Sequence, residues 1–462
     1  MKENLQAVFN SIHAASRSER IPDAETRKRR LAALKRLVIE NRDEIARAID
    51  ADFGGRAREE TELVEIVPLL SGINHTSRSL RRWMRDERRH VALTFQPARG
   101  WVRHEPLGVI GIISPWNYPL FLSLGPLTDA LAAGNRALLK PSELAPQFSE
   151  LLARLVSSYF SPDEVAVATG GVEVAQAFAA LPFDHLVFTG STTVGSKVMA
   201  AAARNLTPVT LELGGKSPAI VAPDYSLEKA ARSIALGKFI NAGQTCIAPD
   251  YVLVPEDRSE ALARNILSLA EKAYPDLQAN RQYSNVISQR HRDRLTGAIE
   301  EARKAGATIL QPENAGQGGK IPPTLVLGAP EDALLLTEEI FGPVLPIVGY
   351  RDLNEALGFI NARPRPLALY AFTDDSKTRD AILDGAISGG VTLNGTLLHV
   401  AQDDLPFGGV GDSGIGAYHG AAGFRRFSHA RSVYKPGFFN AFERLGPPFG
   451  RLTKTAIRFL GR

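Results

Sequence analysis

The chain has 462 residues, of which 44% are hydrophobic and 23% charged, with a formal net charge of +4. This composition is typical of a globular protein, and the length predicts two or three domains. The single cysteine excludes an intrachain disulfide and fits a reducing compartment, so we expect a cytoplasmic protein. The sequence shows no signal-peptide pattern and no apolar run of the ~18 residues that a transmembrane helix needs.

The first ninety residues are predicted to be helical. Leu31 and Leu34 belong to a series of apolar residues at helical spacing between charged side chains. The run at 81–90 contains five arginines and could bind phosphate or nucleic acid. Because the run is short and also contains Asp86 and Glu87, we predict a solvated helix face and no nucleic-acid partner.

Residues 91–106 are predicted to form two short strands about a turn at 97–100. Phe95 and Trp101 flank this turn. A hairpin of this kind must lay its apolar face on another surface, and a second subunit is one candidate.

Short apolar runs alternate with helical patterns between residues 108 and 213. Uncharged strands that are each followed by a helix are typical of a parallel sheet covered on both faces, as in open α/β domains that bind nucleotides. Strands are predicted at 109–114, 137–140, 165–170, 185–188 and 209–213, and helices at 121–133, 146–160, 172–180 and 193–205.

The alternation continues after residue 212 and predicts a second α/β domain. Residues 311–319 are predicted to be a loop. The nine histidines are scattered singly and there is no cysteine cluster, so no metal site is predicted. Strands are predicted at 219–221, 251–254, 344–348 and 369–372, and helices at 227–240, 261–273, 290–305 and 353–360.

Cys246 is the candidate nucleophile. It follows the point where an apolar helical pattern breaks at Asn241-Ala242-Gly243, and loops are where reactive side chains tend to be presented. A cysteine nucleophile needs a thiolate and nearby donors for the oxyanion that it creates. A lone cysteine can equally be a buried small hydrophobic residue, so other motifs must decide between the two interpretations.

A nucleotide-binding turn is predicted at 188–195, between a strand and a helix. Free N–H groups at the start of this helix could receive a pyrophosphate. The turn also resembles a P-loop, but Ser196-Lys197 reverses the required order of residues. The Gly-x-Gly-x-x-Gly pattern at 409–414 follows no strand, so we predict a glycine-rich loop there and not a dinucleotide fingerprint.

Seven motifs in order along residues 100–435 resemble those of the aldehyde dehydrogenase superfamily. The segments GQTCIAPDY, RPLALYAF and TLLHVAQDDLPFGG are most similar to its class 3-like branch, and within it to coniferyl aldehyde dehydrogenases. The motifs are SPWNYPL (114–120), GNRALLKPSE (134–143), FTGSTTVG (188–195), LELGGKSP (211–218), FINAGQTCIAP (239–249), EEIFGP (338–343) and LPFGGVGDSG (405–414).

The resemblance implies NAD(P)-dependent oxidation of an aldehyde to a carboxylic acid. Cys246 would attack the aldehyde and form a thiohemiacetal, whose oxyanion would be held by the Cys246 N–H and the Asn117 side chain. After hydride loss, Glu212 would activate the water that hydrolyses the thioester. Each residue has a simpler interpretation as well, Asn117 as a turn residue and Glu212 as a carboxylate at a strand end.

The resemblance also places the cofactor. Lys140 and Glu143 would receive the adenosine ribose, and a carboxylate there favours NAD over NADP by repelling a 2′-phosphate, although NADP could also be accepted. Both residues could otherwise be plain surface charge. The remaining cofactor-binding residues that it implies are Gly190, Ser191, Gly195, Glu339, Phe341 and Trp116.

The implied substrate is an apolar, aromatic aldehyde of the coniferyl type, with Tyr118 as a candidate for contacting its ring. A medium- or long-chain aliphatic aldehyde is the first alternative. A cysteine esterase or acyl-transferase would use the same nucleophile but would need neither Glu339 nor the turn at Gly190. A protein that keeps the fold without turnover would not need Cys246, Glu212 and Asn117 together.

The implied fold is α/β, with a Rossmann-type NAD-binding domain at 1–90 and 107–211 and a catalytic domain at 212–397. Residues 91–106 and 398–435 would form a small β element that bridges the subunits of a homodimer. The tail at 436–462 is basic, with Arg444, Arg451, Lys454, Arg458 and Arg462. We expect it to pack as an amphipathic helix over the dimer, with weak contact to an anionic membrane surface as the alternative.

Overall fold

The computed structural model describes residues 2–316 and 318–460. Met1, Gln317, Gly461 and Arg462 lie outside the described residues. Two predictions therefore fall partly outside them, the loop at 311–319 and the tail at 436–462.

The helices that were predicted by position agree with the structure to within a few residues at their ends. The helices of the structure are α1 (Lys2–Ser18), α2 (Ala24–Glu40), α3 (Arg42–Phe53), α4 (Arg58–Thr61), α5 (Val67–Trp83), α6 (Pro119–Ala132), α7 (Pro146–Tyr159), α8 (Val172–Ala179), α9 (Thr192–Ala203), α10 (Leu227–Phe239), α11 (Ser259–Ala273), α12 (Gln289–Lys304), α13 (Leu334–Thr337), α14 (Leu353–Asn361), α15 (Ser376–Gly385), α16 (Gly420–Arg426), α17 (Ala441–Leu445) and α18 (Arg451–Leu460). A π-helical turn (Glu62–Ile66) joins α4 to α5. Helices α13, α15 and α16 were not predicted.

The strands form three sheets, two of them large. They are β1 (Glu87–Arg89), β2 (Arg99–Pro106), β3 (Val109–Ile113), β4 (Arg136–Lys140), β5 (Val165–Val167), β6 (His185–Thr189), β7 (Val209–Glu212), β8 (Pro218–Val221), β9 (Tyr251–Pro255), β10 (Thr308–Leu310), β11 (Thr324–Leu327), β12 (Val344–Tyr350), β13 (Ala368–Phe372), β14 (Gly390–Leu393), β15 (Gly414–Ile415) and β16 (Ser428–Lys435).

The first sheet has the order β15-β7-β6-β3-β4-β5 and is parallel apart from β15. Its strands are buried on both faces. Along β3, Ile110 and Ile112 face a core formed with α2, α5, α6 and α7, whereas Val109 and Ile113 face a core formed with α1, α8 and α9. Successive side chains of β3 thus point to opposite faces, and both faces are covered. For this reason every residue of the strand is apolar or small.

The second sheet has the order β10-β11-β12-β9-β8-β13-β14 and is parallel apart from β10. Ala219 and Val221 of β8 pack towards α10 and α11, and Ile220 packs on the opposite side with Ile360 of α14 and Ile382 of α15. The two large sheets and their helices confirm the predicted α/β fold. We propose the predicted boundary near residue 212, because the chain passes from the first sheet to the second between β7 and β8. Strand β15, from the predicted bridging segment, joins the first sheet, and β1 joins the third.

The third sheet corrects the predicted hairpin at 91–106. Only β2 of that segment is a strand, and it pairs with β1 on one side and β16 on the other, all antiparallel. Leu93–Phe95 instead form a single 3₁₀ turn. Pro97 has no N–H to donate to a ladder, which is one reason why a strand does not extend through this segment.

The same sheet corrects the predicted helix face at 81–90. Helix α5 ends at Trp83, and Glu87–Arg89 form β1, whose register sets Arg88 opposite Trp101. Carboxylates partner two arginines of this run, in the ion pairs of Arg81 with Glu25 and of Arg89 with Glu87. Among the described residues no helix is long and apolar enough to cross a membrane.

Candidate active site

One cavity brings together most of the residues predicted to act. It has a volume of about 220 Å³ and lies beyond the carboxyl ends of β3 and β6, where the strand order reverses and open α/β sheets bind ligands. A larger cleft of about 1050 Å³ beside α3 and α4 contains none of the predicted side chains. The predicted residues that line the smaller cavity are Trp116, Asn117, Gly190, Ser191, Glu212, Cys246, Glu339 and Phe341, but not Lys140, Glu143 or Gly195.

Cys246 lies in the turn that follows α10, as predicted. Asn241 and Ala242 take left-handed backbone conformations, with φ of 50° and 49°. Gly243 follows with a φ of 72°, and a Cβ there would lie 2.2 Å from the carbonyl oxygen of Gly342, so this position requires glycine. The chain therefore reverses within a few residues and presents the half-buried Cys246 side chain to the cavity.

The thiol of Cys246 faces a carboxylate. Its Sγ lies 3.8 Å from Oε1 of Glu212, the last residue of β7. Burial raises the pKa of Glu212 to about 7. Burial also raises the pKa of the Cys246 thiol, and the charges of Glu212 and Glu339 raise it further. The thiol therefore needs a base to become a thiolate at neutral pH, and Glu212 is within reach of it.

Tyr418 holds the second carboxylate oxygen of Glu212. Its hydroxyl donates a hydrogen bond to Oε2, which also accepts one from Oγ1 of Thr189 at 3.4 Å. The pairing of β15 with β7 sets Gly414 opposite Glu212 and brings the following residues to this wall of the cavity. Sequence analysis missed Tyr418, because it lies 206 positions beyond Glu212 and no local pattern marks it.

Asn117 is buried beside the turn that carries Cys246. Its Nδ2 donates to the carbonyl oxygen of Gln244 at 3.1 Å, and an amide has a second N–H that can serve a ligand oxygen. The backbone carbonyl of Asn117 accepts from Nδ2 of Asn241 at 2.9 Å and from Nη1 of Arg56 at 3.0 Å. Buried polar groups thus fix this residue through both its side chain and its backbone.

A buried ion-pair network supports the Asn117 loop. Arg56 is 3.1 Å from Glu65 and 3.3 Å from Glu60, measured between nitrogen and oxygen atoms. The Oε2 atom of Glu65 accepts the N–H groups of Leu120 and Phe121, where a negative charge suits the helix dipole at the start of α6. This network was not predicted from the sequence, because the segment at 56–65 is rich in charged residues and its pattern does not indicate that they are buried.

Lys140 and Glu143 are neighbours in the structure. Lys140 ends β4 and is buried, and its Nζ donates to the carbonyl oxygen of Pro141 at 2.9 Å and to Glu143 at 3.1 Å. The Glu143 side chain is 41% exposed and so is accessible to a ligand.

The turn at 188–195 holds the start of α9 close to the first sheet. Ser191 caps this helix, since its Oγ accepts the N–H of Val194 at 3.4 Å. A Cβ on Gly190 would lie 2.6 Å from the Phe188 ring, and one on Gly195 would lie 2.6 Å from Leu213. These positions therefore admit only glycine without rearrangement, and the start of the helix is directed at the cavity.

Glu339 and Phe341 form the wall across from Gly190. The Glu339 carboxyl group lies against Gly214, where a Cβ would be 2.0 Å from Oε2, and burial raises its pKa to about 8. The Phe341 ring meets the Trp116 ring edge-on, with centroids 5.4 Å apart. Within residues 2–316 and 318–460, no group of three His, Cys, Asp or Glu side chains is arranged to hold a metal ion.

Comparison with known proteins identifies the family. The model of the aldehyde dehydrogenase family matches residues 2–433. The probable coniferyl aldehyde dehydrogenase of Pseudomonas aeruginosa is 50% identical over 447 residues, which cover 97% of this chain and 94% of that protein. The dimeric NADP-preferring aldehyde dehydrogenase of Mus musculus is 41% identical over 434 residues, with coverage of 93% and 94%.

Solved structures agree with this assignment. The substrate-bound state of Staphylococcus aureus AldH matches with a TM-score of 0.92 at 35% identity, over 98% of this chain and 99% of that one. The NAD⁺ complex of an aldehyde dehydrogenase from Bacillus cereus matches with a TM-score of 0.85 at 27% identity, with coverage of 94% and 89%.

The family match and the relatives define an oxidoreductase, and the structure gives it an α/β fold. The chain belongs to the aldehyde dehydrogenase family and is an aldehyde dehydrogenase, as the sequence motifs predicted.

Proposed function

We propose that the enzyme oxidises an apolar, aromatic aldehyde of the coniferyl type to the carboxylic acid, with NAD as its preferred cofactor. The observation that carries this proposal is the placement of the Cys246 thiol 3.8 Å from Glu212 in a cavity that Asn117 also lines. A nucleophile, a base and an oxyanion donor in one cavity are what acyl chemistry at an aldehyde carbon requires.

The residues present fit a dinucleotide. Gly190 and Ser191 line the cavity at the start of α9, where free N–H groups can receive a pyrophosphate, and Gly195 lets this helix pack closely on Leu213. The exposed Glu143 beside Lys140 suits a ribose hydroxyl. Phe341, Trp116 and Glu339 would hold the nicotinamide end near Cys246. When bound, the nicotinamide supplies the acceptor for the hydride that leaves the substrate.

Cys246 opens the reaction as the nucleophile. Glu212 takes the thiol proton on Oε1, and the sulfur attacks the aldehyde carbon to give a thiohemiacetal oxyanion. The N–H of Cys246 and the second N–H of Asn117 stabilise this oxyanion, and one such donor contributes ~3 kcal/mol. Arg56 and Asn241 act on this step only by fixing the carbonyl of Asn117.

Glu212 also acts in the second half of the reaction. Glu212 first releases the thiol proton to solvent. The thioester on Cys246 is then hydrolysed by water, and the ionised Glu212 accepts the proton of that water as it attacks. A carboxyl group with a pKa of about 7 is suited to both proton transfers at neutral pH. Tyr418 binds Oε2 and thereby leaves Oε1 directed at the sulfur.

The aromatic substrate class is supported by the relatives and by the ring-rich surroundings of Asn117. Tyr118 follows Asn117 directly, and its hydroxyl lies 2.5 Å from Oγ1 of Thr245, the neighbour of Cys246. Phe121, one turn further on, meets the His419 ring edge-on at 5.9 Å. We propose that Tyr118 contacts the substrate ring.

The proposal is tested by following NADH absorbance with benzylic, cinnamyl and straight-chain aldehydes, each with NAD and with NADP. We expect the highest kcat/KM for a cinnamyl aldehyde with NAD. Higher values for straight-chain aldehydes would assign the enzyme to aliphatic substrates. If no aldehyde reduced either cofactor while an aryl ester were cleaved, the esterase interpretation would replace the proposal.

A further inference from the structure

The last helix carries an apolar face that the rest of the chain leaves uncovered. In α18, the side chains of Leu452, Ile457 and Phe459 are 66%, 65% and 82% exposed. At 100° per residue they fall, with Leu460, on one side of the helix. Thr453 lies on this same side and is buried, and its hydroxyl donates to the carbonyl oxygen of Leu445 at 3.0 Å. The chain therefore holds the helix at this one point and leaves the apolar side chains around it exposed.

Further apolar side chains extend this face towards the body of the protein. The Phe442 ring stacks on Phe95 with centroids 4.9 Å apart, and Gly437 packs against Pro97, where a Cβ would be 2.6 Å from Cγ. The segment is thus attached to the body at its start and exposed beyond it. We define the tail surface as the exposed apolar side chains of Phe438, Phe449, Leu452, Ile457, Phe459 and Leu460.

The polar side of the tail surface is basic. Between residues 436 and 460 the only acid is Glu443, which accepts a hydrogen bond from Asn440. The positive charge continues onto the third sheet, where the register sets Lys435 opposite Arg99, and like charges opposite each other are destabilising. Within the described part of the chain none of these cations forms an ion pair: Arg99, Lys435, Arg444, Arg451, Lys454 and Arg458.

We propose that the tail surface docks on an anionic phospholipid bilayer. The apolar side chains insert at the level of the headgroups, and the basic side chains meet the lipid phosphates. A helix of ten residues is about 15 Å long and therefore lies on the bilayer without crossing it.

The positive charge favours a lipid partner over a second copy of the chain. A symmetric interface built from the tail surface would place the same unpaired cations of both copies next to each other. An anionic bilayer instead neutralises them, and each Lys or Arg near its surface contributes about 1 kcal/mol, or about fivefold in binding. The attraction should weaken as salt screens it.

The test is sedimentation of the full chain with vesicles. We expect binding to vesicles of equimolar phosphatidylcholine and phosphatidylglycerol, weak binding to phosphatidylcholine alone, and loss of binding at high salt. The double variant Lys454→Glu, Arg458→Glu should bind at least about 25-fold more weakly, at about fivefold for each charge removed. The variant Leu452→Gln, Phe459→Gln should also lose binding, because it removes the inserted side chains.

Matched controls separate the tail from general surface effects. Lys304→Glu, Lys377→Glu reverses two exposed charges elsewhere, and Leu206→Gln removes an apolar side chain that is 90% exposed. Both controls should bind vesicles like the unchanged protein. Absence of binding to anionic vesicles, or equal binding by tail and control variants, would overturn the proposal. A fall in molecular mass by light scattering in the tail variants, with vesicle binding unchanged, would assign the tail surface to a second copy.

Discussion

At the scale of single residues, the chemistry of the site depends on the balance of effects at Glu212. Burial raises its pKa, whereas the hydrogen bonds from Tyr418 and Thr189 lower it, and the result is about 7. A general base acts only in its ionised form, so hydrolysis of the thioester should slow as the pH falls below about 7 and rise above it. The acidic limb of the pH profile of turnover should therefore contain the titration of Glu212, and Glu339 in the same cavity, with a pKa of about 8, titrates above it.

Replacing Tyr418 by Phe should move that profile. The substitution removes a hydrogen bond that favours the ionised carboxylate, so the pKa of Glu212 should rise. The acidic limb of the profile of kcat against pH should then shift to higher pH, with the plateau at high pH largely kept. Tyr283→Phe is the control, since the Tyr283 hydroxyl donates to the carbonyl of Ile321, away from the cavity. An unchanged acidic limb would show that the Tyr418 hydroxyl does not affect the pKa of Glu212.

Replacing Glu143 by Gln should alter the choice of cofactor. At the proposed ribose site the carboxylate beside Lys140 would repel the 2′-phosphate of NADP, and an exposed charge of this kind contributes roughly 1 kcal/mol, or about fivefold. The ratio of kcat/KM for NAD over NADP should fall by about that factor. Glu150→Gln, an exposed carboxylate on α7, should leave the ratio unchanged. A ratio that stays constant in Glu143→Gln would show that this side chain does not contact the ribose.

At the scale of elements, the segment that leads into α5 supports the Asn117 loop. Arg56 and the π-helical turn at 62–66, which contains Glu65, place a buried ion pair beneath Asn117 and the start of α6. Buried charge is costly unless it is paired. The positions of Arg56, of the turn that contains Glu65 and of the Asn117 loop therefore depend on each other. The helices thus contribute to the site although they line little of it.

Arg56→Met should therefore destabilise the fold as well as the site. It leaves Glu65 buried without its partner, and breaking a buried pair costs about 3–5 kcal/mol. The thermal unfolding midpoint should fall and the first turnover should slow, because the Asn117 carbonyl loses a donor. Arg58→Met is the matched control, since its ion pairs are exposed to solvent and contribute little to stability. Equal effects of the two substitutions would contradict this account.

The elements that the sequence predicted best have a clear periodic pattern of apolar residues and are bounded by residues typical of turns. Strand β3 and helix α10 differ from the prediction by a single residue at one end, because a buried apolar run and a helical pattern are local properties. The prediction of a helix face at 81–90 was wrong at its end, because Glu87–Arg89 form a strand by pairing with β2. The local sequence of a charged segment does not indicate such pairing. Strands β10, β11 and β14 were missed as well.

At the scale of the whole molecule, the site is built from segments that lie far apart in the chain. Motif residues such as Cys246 and Glu212 could be predicted, because each lies within a recognisable local sequence. Arg56 and Tyr418 could not, because their roles follow from contacts between elements, and a single sequence does not contain those contacts. The sequence therefore predicted residues that meet in one cavity and that we propose to react, and it did not reveal the side chains that orient them.

The third sheet leads us to propose a homodimer. Strand β16 pairs with β2 along one side only, and its Tyr434 is 54% exposed. An edge strand with unpaired backbone groups is a ready site for another chain. Light scattering should give the mass of a dimer, and the substitution Val433→Pro should shift this mass towards that of the monomer. A stable monomer at micromolar concentration would contradict the proposal.

The central claim is the division of labour between Cys246 and Glu212, and rapid mixing tests it most directly. Cys246→Ala should give no NADH, because no adduct forms. Glu212→Gln should give one NADH per active site in a burst that is slow at neutral pH and faster at high pH, since the thiol loses its base. Steady turnover should fall by about 10²–10⁴-fold, and trapped enzyme should carry the acyl mass on the Cys246 peptide. Unchanged turnover in Glu212→Gln, or an acyl group on another residue, would contradict the account.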